Sequence, residues 1–213
     1  GIIVLERSTR SIMPRDDDRW NLVDRRTYGE TAVRSQVTSF LRRLPTGEVL
    51  GEHPLDLPES TLHTRGVWWT MPGWWLRDHG VDEMAVPGAL HAAEHAAIGL
   101  LPGFAPCDRG DIGGLSTVHH TDTGAPTVFV HDGLPGGSGF ADEGYRVAER
   151  WLAATLQLLE ACGCDKGCPR CVVSPACGSG NHPLDRVAAI AVLRPMVAGS
   201  AGAPHGTPVT LPA

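Results

Sequence analysis

The chain has 213 residues, 42% hydrophobic and 20% charged, with a formal net charge of -6. This length allows one large domain or two small ones, and no apolar run approaches the roughly 20 residues that span a bilayer. The charge argues against an autonomous phosphate-gripping domain, because non-specific affinity for nucleic acid comes mainly from Lys and Arg. Basic and acidic residues balance at 10 each from Gly1 to Leu76, and 8 basic residues face 14 acidic ones from Arg77 onward.

Gly1 stands where an initiator Met would, and the first residues have neither the basic nor the apolar region of a signal peptide, so the chain reads as a piece of a longer cytoplasmic protein. Up to about Glu30, with Asp16, Asp17 and Asp18 and few apolar anchors, the pattern reads as irregular. Residues 31–40 alternate in a β-prone run, and a Pro45-Thr46-Gly47 turn into Glu48-Val49-Leu50 predicts a hairpin. Residues 62–71 predict a further strand, ending in Trp68 and Trp69.

The pattern becomes helical from Pro87 to Leu101, where alanines and leucines form an apolar stripe. Residues 127–132 (TVFVHD) predict a short strand, followed by a turn over 133–140 whose glycines demand unusual backbone angles or a close approach by another group. Residues 142–161 carry the longest helical signal, and Cys162 continues its apolar face. A shorter helix over 184–194 is expected to stop at Pro195, and the tail 198–213 is expected to be flexible. The expected class is α+β: a β-rich part over residues 1–80, then an α/β zinc-binding module over 81–197 with a four-cysteine site.

Five of the six cysteines, Cys162, Cys164, Cys168, Cys171 and Cys177, fall within 16 residues. Without a secretion signal such a cluster points to a metal in a reducing compartment and not to disulfides. The turn Cys168-Pro169-Arg170-Cys171 lets two thiolates converge on one ion, and four thiolates around tetrahedral zinc is the usual result. Packed free thiols and an iron-sulfur cluster are the competing readings. Cys168, Cys171 and Cys164 are the leading ligands; the fourth is Cys162 or Cys177, with His182 a weaker substitute. A site closed by four thiolates holds a fold together and does not catalyse.

Several other motifs compete for function. His91-Ala92-Ala93-Glu94-His95 matches the H-x-x-E-H pattern of zinc peptidases, but no third ligand follows at a persuasive position, so the histidines read as hydrogen-bonding residues at an interface. The Gly136-Gly137-Ser138-Gly139 loop lacks the order and the Lys of a phosphate-binding P-loop. Trp68, Trp69, Trp74 and Trp75 could stack on bases, but at a strand end they read first as core or interface. A protein-docking module that never touches DNA is a further alternative.

The segments ALHAAEHAAIGLL (89–101), CDRGDIGG (107–114), TVFVHDGLPGGSGF (127–140) and CGCDKGCPRCVVSPACGSGNHPL (162–184) together resemble the C-terminal region of superfamily II DNA repair helicases of the MrfA/SftH type. The likeness runs over about residues 31–195, and GCPRCVVSPACGSGN followed by Leu184-Asp185-Arg186 is its most specific part. The resemblance implies an accessory domain behind the motor of an ATP-dependent 3′ to 5′ DNA translocase and helicase. It also implies that the five clustered cysteines map onto a zinc motif, and that single-stranded DNA or a duplex junction and the motor domains are partners. Neither a Walker A sequence nor a DEAH-type box occurs in the chain, so ATP and Mg2+ are expected only in motor domains outside it, and no enzymatic activity is expected of this part alone.

Overall fold

The computed structural model of the chain describes residues 3–14, 26–46 and 48–200. Six strands form one antiparallel sheet: β1 (Ile3–Pro14), β2 (Arg26–Arg43), β3 (Val49–Pro54), β4 (Ser60–Thr70), β5 (Ile112–Thr117) and β6 (Thr127–Asp132). Their order is β1-β2-β4-β6-β5, with β3 pairing to β2 as the return strand of a hairpin. The helices are α1 (Gly73–Asp78), α2 (Val86–Leu100), α3 (Phe140–Arg146), α4 (Ala148–Ala161) and α5 (Arg186–Ser200). This is a mixed helix and antiparallel-sheet fold. No described helix is long and apolar enough to cross a membrane.

The sheet is continuous across residue 80: β4 pairs with β6, so that Val67 faces Val130, Trp68 faces Phe129 and Trp69 faces Val128. Period-two alternation sends these pairs to opposite faces. Val67, Trp69, Val128 and Val130 join the helical core, whereas Trp68 and Phe129 form a second cluster with Val33 on the other face. Both faces of β6 are therefore buried, which explains a strand with no polar alternation.

On the first face α2 packs against β5, β6, α4 and α5. Ala89, Ala92, Ala93, Ala96 and Ala97 are buried, and their small side chains let neighbouring elements come close. Trp151 of α4 is fully buried, donates its indole N-H to the Ala97 carbonyl at 2.8 Å and meets Trp69 edge to face at 5.9 Å between ring centroids. A helix carbonyl near the end of α2 and a sheet residue are thus locked by one side chain.

The structure corrects four expectations. Residues 3–14 are a strand paired to β2 and not irregular, since Ile3, Val4, Thr9 and Ile12 suffice for β structure once an 18-residue partner lies alongside. The helical signal over 142–161 breaks at Val147 into α3 and α4. Pro195 lies inside α5, because Leu193 and Met196 on either side are buried and their packing outweighs the lost N-H donor. The expected tail loses residues 198–200 to α5, and 201–213, like Gly47 of the hairpin turn, lie outside the described residues. Strand β5 and helix α1 had no counterpart in the expectations.

Candidate metal centre

Helix α4 ends at Ala161, and Cys162 follows as its C-cap with extended backbone, turning its thiol toward the loop. In that loop the Cys168 carbonyl accepts from the backbone N-H groups of Cys171, Val172 and Val173 at 3.0 to 3.1 Å, which winds residues 168–173 into a tight knuckle. The Cys168 N-H points at Cys171 Sγ at 3.4 Å. Four sulfurs meet: Cys162 to Cys164 is 3.6 Å, Cys162 to Cys168 3.5 Å, Cys164 to Cys171 3.6 Å and Cys168 to Cys171 3.7 Å. A tetrahedron of sulfurs about 2.3 Å from a zinc ion has edges of about 3.8 Å, so the donors fit the ion.

The electrostatics of the thiols agree with that geometry. The backbone N-H of Cys164 and the thiols of Cys168 and Cys164 hold Cys162 down at about 7. Burial and the three neighbouring thiols push Cys164 up to about 12, and burial pushes Cys171 up. One thiol ionises readily and its neighbours then resist, so four thiolates together require a cation among them. Arg186 anchors the cluster from behind, donating Nε to the Cys164 carbonyl and a guanidinium N-H to the Leu159 carbonyl, both at 2.6 Å. Nothing in the sequence pattern marks Arg186 for this role, because both carbonyls it meets lie more than 20 residues before it.

Cys177 stands apart from these four. Its sulfur, one ring nitrogen of His91 and one of His95 lie within 4.8 Å of one another, with Cys177 Sγ 3.4 Å from His91 Nε2. The two histidines share one face of α2, and their rings meet at 4.3 Å and 70°. Each Nδ1 is taken by a backbone carbonyl, Pro183 for His91 at 2.7 Å and Val172 for His95 at 2.6 Å. The loop holding Cys177 is shaped by Asn181, in the left-handed region at φ 64, whose N-H reaches Cys177 Sγ at 3.2 Å and whose side-chain amide brackets the backbone of Ser174. Burial alone would raise the Cys177 thiol, but hydrogen bonds from His91, His95 and Ser179 bring it down to about 4. Desolvation would lower His91, yet its bond to Cys177 and the charge of Glu94 leave it raised.

Glu94, buried on the same helix, is raised by desolvation, and its carboxyl hydrogen-bonds Ser116. Cys107 joins neither group, and burial together with Asp111 pushes its thiol up. His182 joins neither group but lines, with His91, His95 and Cys177, a cavity of about 950 Å³ that reaches across to β5.

The glycine loop has a structural task. Gly136, Gly137 and Gly139 all have positive φ, and the loop they form wraps the fully buried Asp132 carboxylate. That carboxylate accepts from the backbone N-H groups of Ser138, of Gly139 at 2.9 Å and of Ala141 at 2.8 Å, so the close approach comes from a carboxylate of the chain itself. Trp68, Trp69 and Trp75 are buried, and Trp74 is 55% exposed, so three of the four indoles are committed to packing.

A family model described as the MrfA Zn-binding domain matches residues 93–172, which include Cys162, Cys164, Cys168 and Cys171. The uncharacterized protein MJ1572.1 of Methanocaldococcus jannaschii is 36% identical over 111 residues, which are 51% of this chain and 99% of that protein. The chain belongs to the MrfA Zn-binding domain family. The chain is also similar to the uncharacterized ATP-dependent helicase YprA of Bacillus subtilis, 32% identical over 146 residues that make up 68% of this chain and 19% of YprA. A solved structure of the DUF1998 helicase MrfA bound to DNA superposes with a TM-score of 0.64 at 25% identity, covering 92% of this chain and 25% of that one. The chain thus spans about a fifth to a quarter of the helicases it resembles.

Proposed function

We propose that the chain is the C-terminal accessory domain of an ATP-dependent 3′ to 5′ DNA translocase and helicase that serves DNA repair, and that one structural zinc, held by Cys162, Cys164, Cys168 and Cys171, stabilises it. The observation that carries this reading is the four-sulfur cluster, with edges of 3.5 to 3.7 Å, inside the residues that match the MrfA Zn-binding domain. When bound, zinc supplies a redox-inert cross-link between the end of α4 and the knuckle before α5. Cys177, the fifth cysteine of the run, stays outside this ligand set.

On this reading residues 81–197 are the zinc-binding domain, 1–80 a β-rich segment built onto its sheet, and 198–213 a tail. Single-stranded DNA or a duplex junction and the motor domains of the same protein are the partners, and ATP and Mg2+ act only in that motor. The domain hydrolyses neither ATP nor peptides. Its thiols suit the reducing cytoplasm. A likeness to a helicase solved with DNA supports the DNA partner, and the net charge of -6 supports a guiding role over an independent grip.

The test is made in the full-length helicase. Cys168→Ser should remove one zinc and reduce strand unwinding at least tenfold, while ATP hydrolysis stimulated by short single strands stays within about threefold of the parent. Zinc loss with unwinding intact would remove the domain from the unwinding reaction.

A further inference from the structure

We propose that His91, His95 and Cys177 form a second metal site, for a divalent cation of the zinc class, separate from the four-thiol cluster. Three observations carry it, and none depends on the first site. The donor atoms converge: they lie within 4.8 Å of one another, and the 3.4 Å from Cys177 Sγ to His91 Nε2 is close to the roughly 3.5 Å that separates an imidazole nitrogen from a thiolate sulfur on one tetrahedral zinc.

The second observation is the state of the imidazoles. Both Nδ1 atoms face carbonyl oxygens, of Pro183 and Val172, which can only accept, so each Nδ1 carries a proton and each Nε2 is the nitrogen left to face the Cys177 sulfur or, once deprotonated, a metal. That is the arrangement in which a metal-ligating histidine is held by an outer acceptor. Two such rings turned on one sulfur exceed what a hydrogen-bonded pair needs, since one imidazole suffices to bind a thiol.

The third is the setting of the sulfur. The Asn181 N-H at 3.2 Å and the Ser179 hydroxyl at 3.1 Å supply outer hydrogen bonds to a thiolate. All three donors line the cavity of about 950 Å³, so the fourth position of a tetrahedral ion opens on space that water or a small anion can occupy. Imidazole and thiolate together suit zinc or cobalt(II) and disfavour magnesium and calcium, which prefer oxygen. His91 and Cys177 lie outside the residues that match the family model. The missing third ligand of the H-x-x-E-H motif is therefore a cysteine 86 residues beyond His91.

Metal counting on the 213-residue chain tests this. Chain stripped under reducing conditions, reloaded with zinc and desalted should hold two equivalents, and a cobalt(II) titration should saturate at two with a mixed nitrogen and sulfur spectrum beside the tetrathiolate one. Cys177→Ala should hold one equivalent, keep the tetrathiolate absorption and lose the mixed one. Saturation of the unaltered chain at one equivalent would overturn the proposal without recourse to any variant. Two equivalents in Cys177→Ala would overturn it as well.

Discussion

The thiols of Cys162, Cys164, Cys168 and Cys171 are gathered by ten consecutive residues, whereas His91, His95 and Cys177 are brought together from a helix and a loop 86 residues apart. The first group needs little beyond the end of α4 and one tight turn. The second exists only after the loop has docked on α2, where Val172 and Pro183 meet the histidines and the Asp185 N-H meets the Gly88 carbonyl at 3.0 Å. The two are linked through Val172, which follows Cys171 in the knuckle and accepts from His95. A cross-link of the local kind organises a turn, and one of the distant kind closes a long loop, whose closure costs more chain entropy.

The largest effect expected falls on the local site. Cys168→Ser or Cys171→Ser should forfeit metal-binding free energy that is also folding free energy, about 10 kcal/mol for small zinc modules. Cys107→Ser should cost only about 1 to 3 kcal/mol. Denaturant melts with zinc analysis separate the two cases, and equal midpoints with metal retained in all three variants would remove the local site from the account of stability.

A smaller effect should distinguish local from distant assembly. Trp151→Ala removes the fully buried contact between α4, α2 and β4 and should cost about 3 to 5 kcal/mol in a melt. Because the four thiols are organised by their own turn, the variant should keep the tetrathiolate absorption of bound cobalt at temperatures where it is still folded. Loss of that absorption before unfolding would mean that the helical core, and not the turn, shapes the cluster.

The smallest effect is one of reactivity. In chain given a single zinc equivalent, enough to fill the four-thiol cluster, Cys177, at about 4, is largely thiolate at about pH 6, whereas Cys107, pushed above its ordinary 9.0, is protonated. Allowing for the lower intrinsic nucleophilicity of the more acidic thiol, alkylation should be roughly tenfold faster at Cys177. The depressed Cys177 contributes stability that is complete above pH 9.0 and is lost as pH falls through about 4. The raised His91 contributes stability that is complete below 6.5 and is lost as pH rises through its folded value. Peptide mapping after a short iodoacetamide pulse reads the ratio, and equal labelling would dissolve the thiolate and imidazolium pair.

By itself the sequence determined what depends on neighbours along the chain. The Cys168-Pro169-Arg170-Cys171 turn, the strand over 127–132 and the helix of small apolar residues after Pro87 were legible because spacing and period are local properties. The glycine loop announced a close approach, but only the fold shows that the approaching group is the Asp132 carboxylate. Tertiary structure alone decided that Ile3–Pro14 becomes a strand, since it needs β2 beside it, and that α5 continues through Pro195, since Leu193 and Met196 are buried on either side. It also separated Cys177 from the cysteine run to which its position assigns it. A thiol that follows Cys171 so closely in the chain could turn either way; Asn181 and Ser179, its near neighbours, hold it locally, and what turns it away from the cluster is His91, 86 residues back, which no spacing rule connects to it.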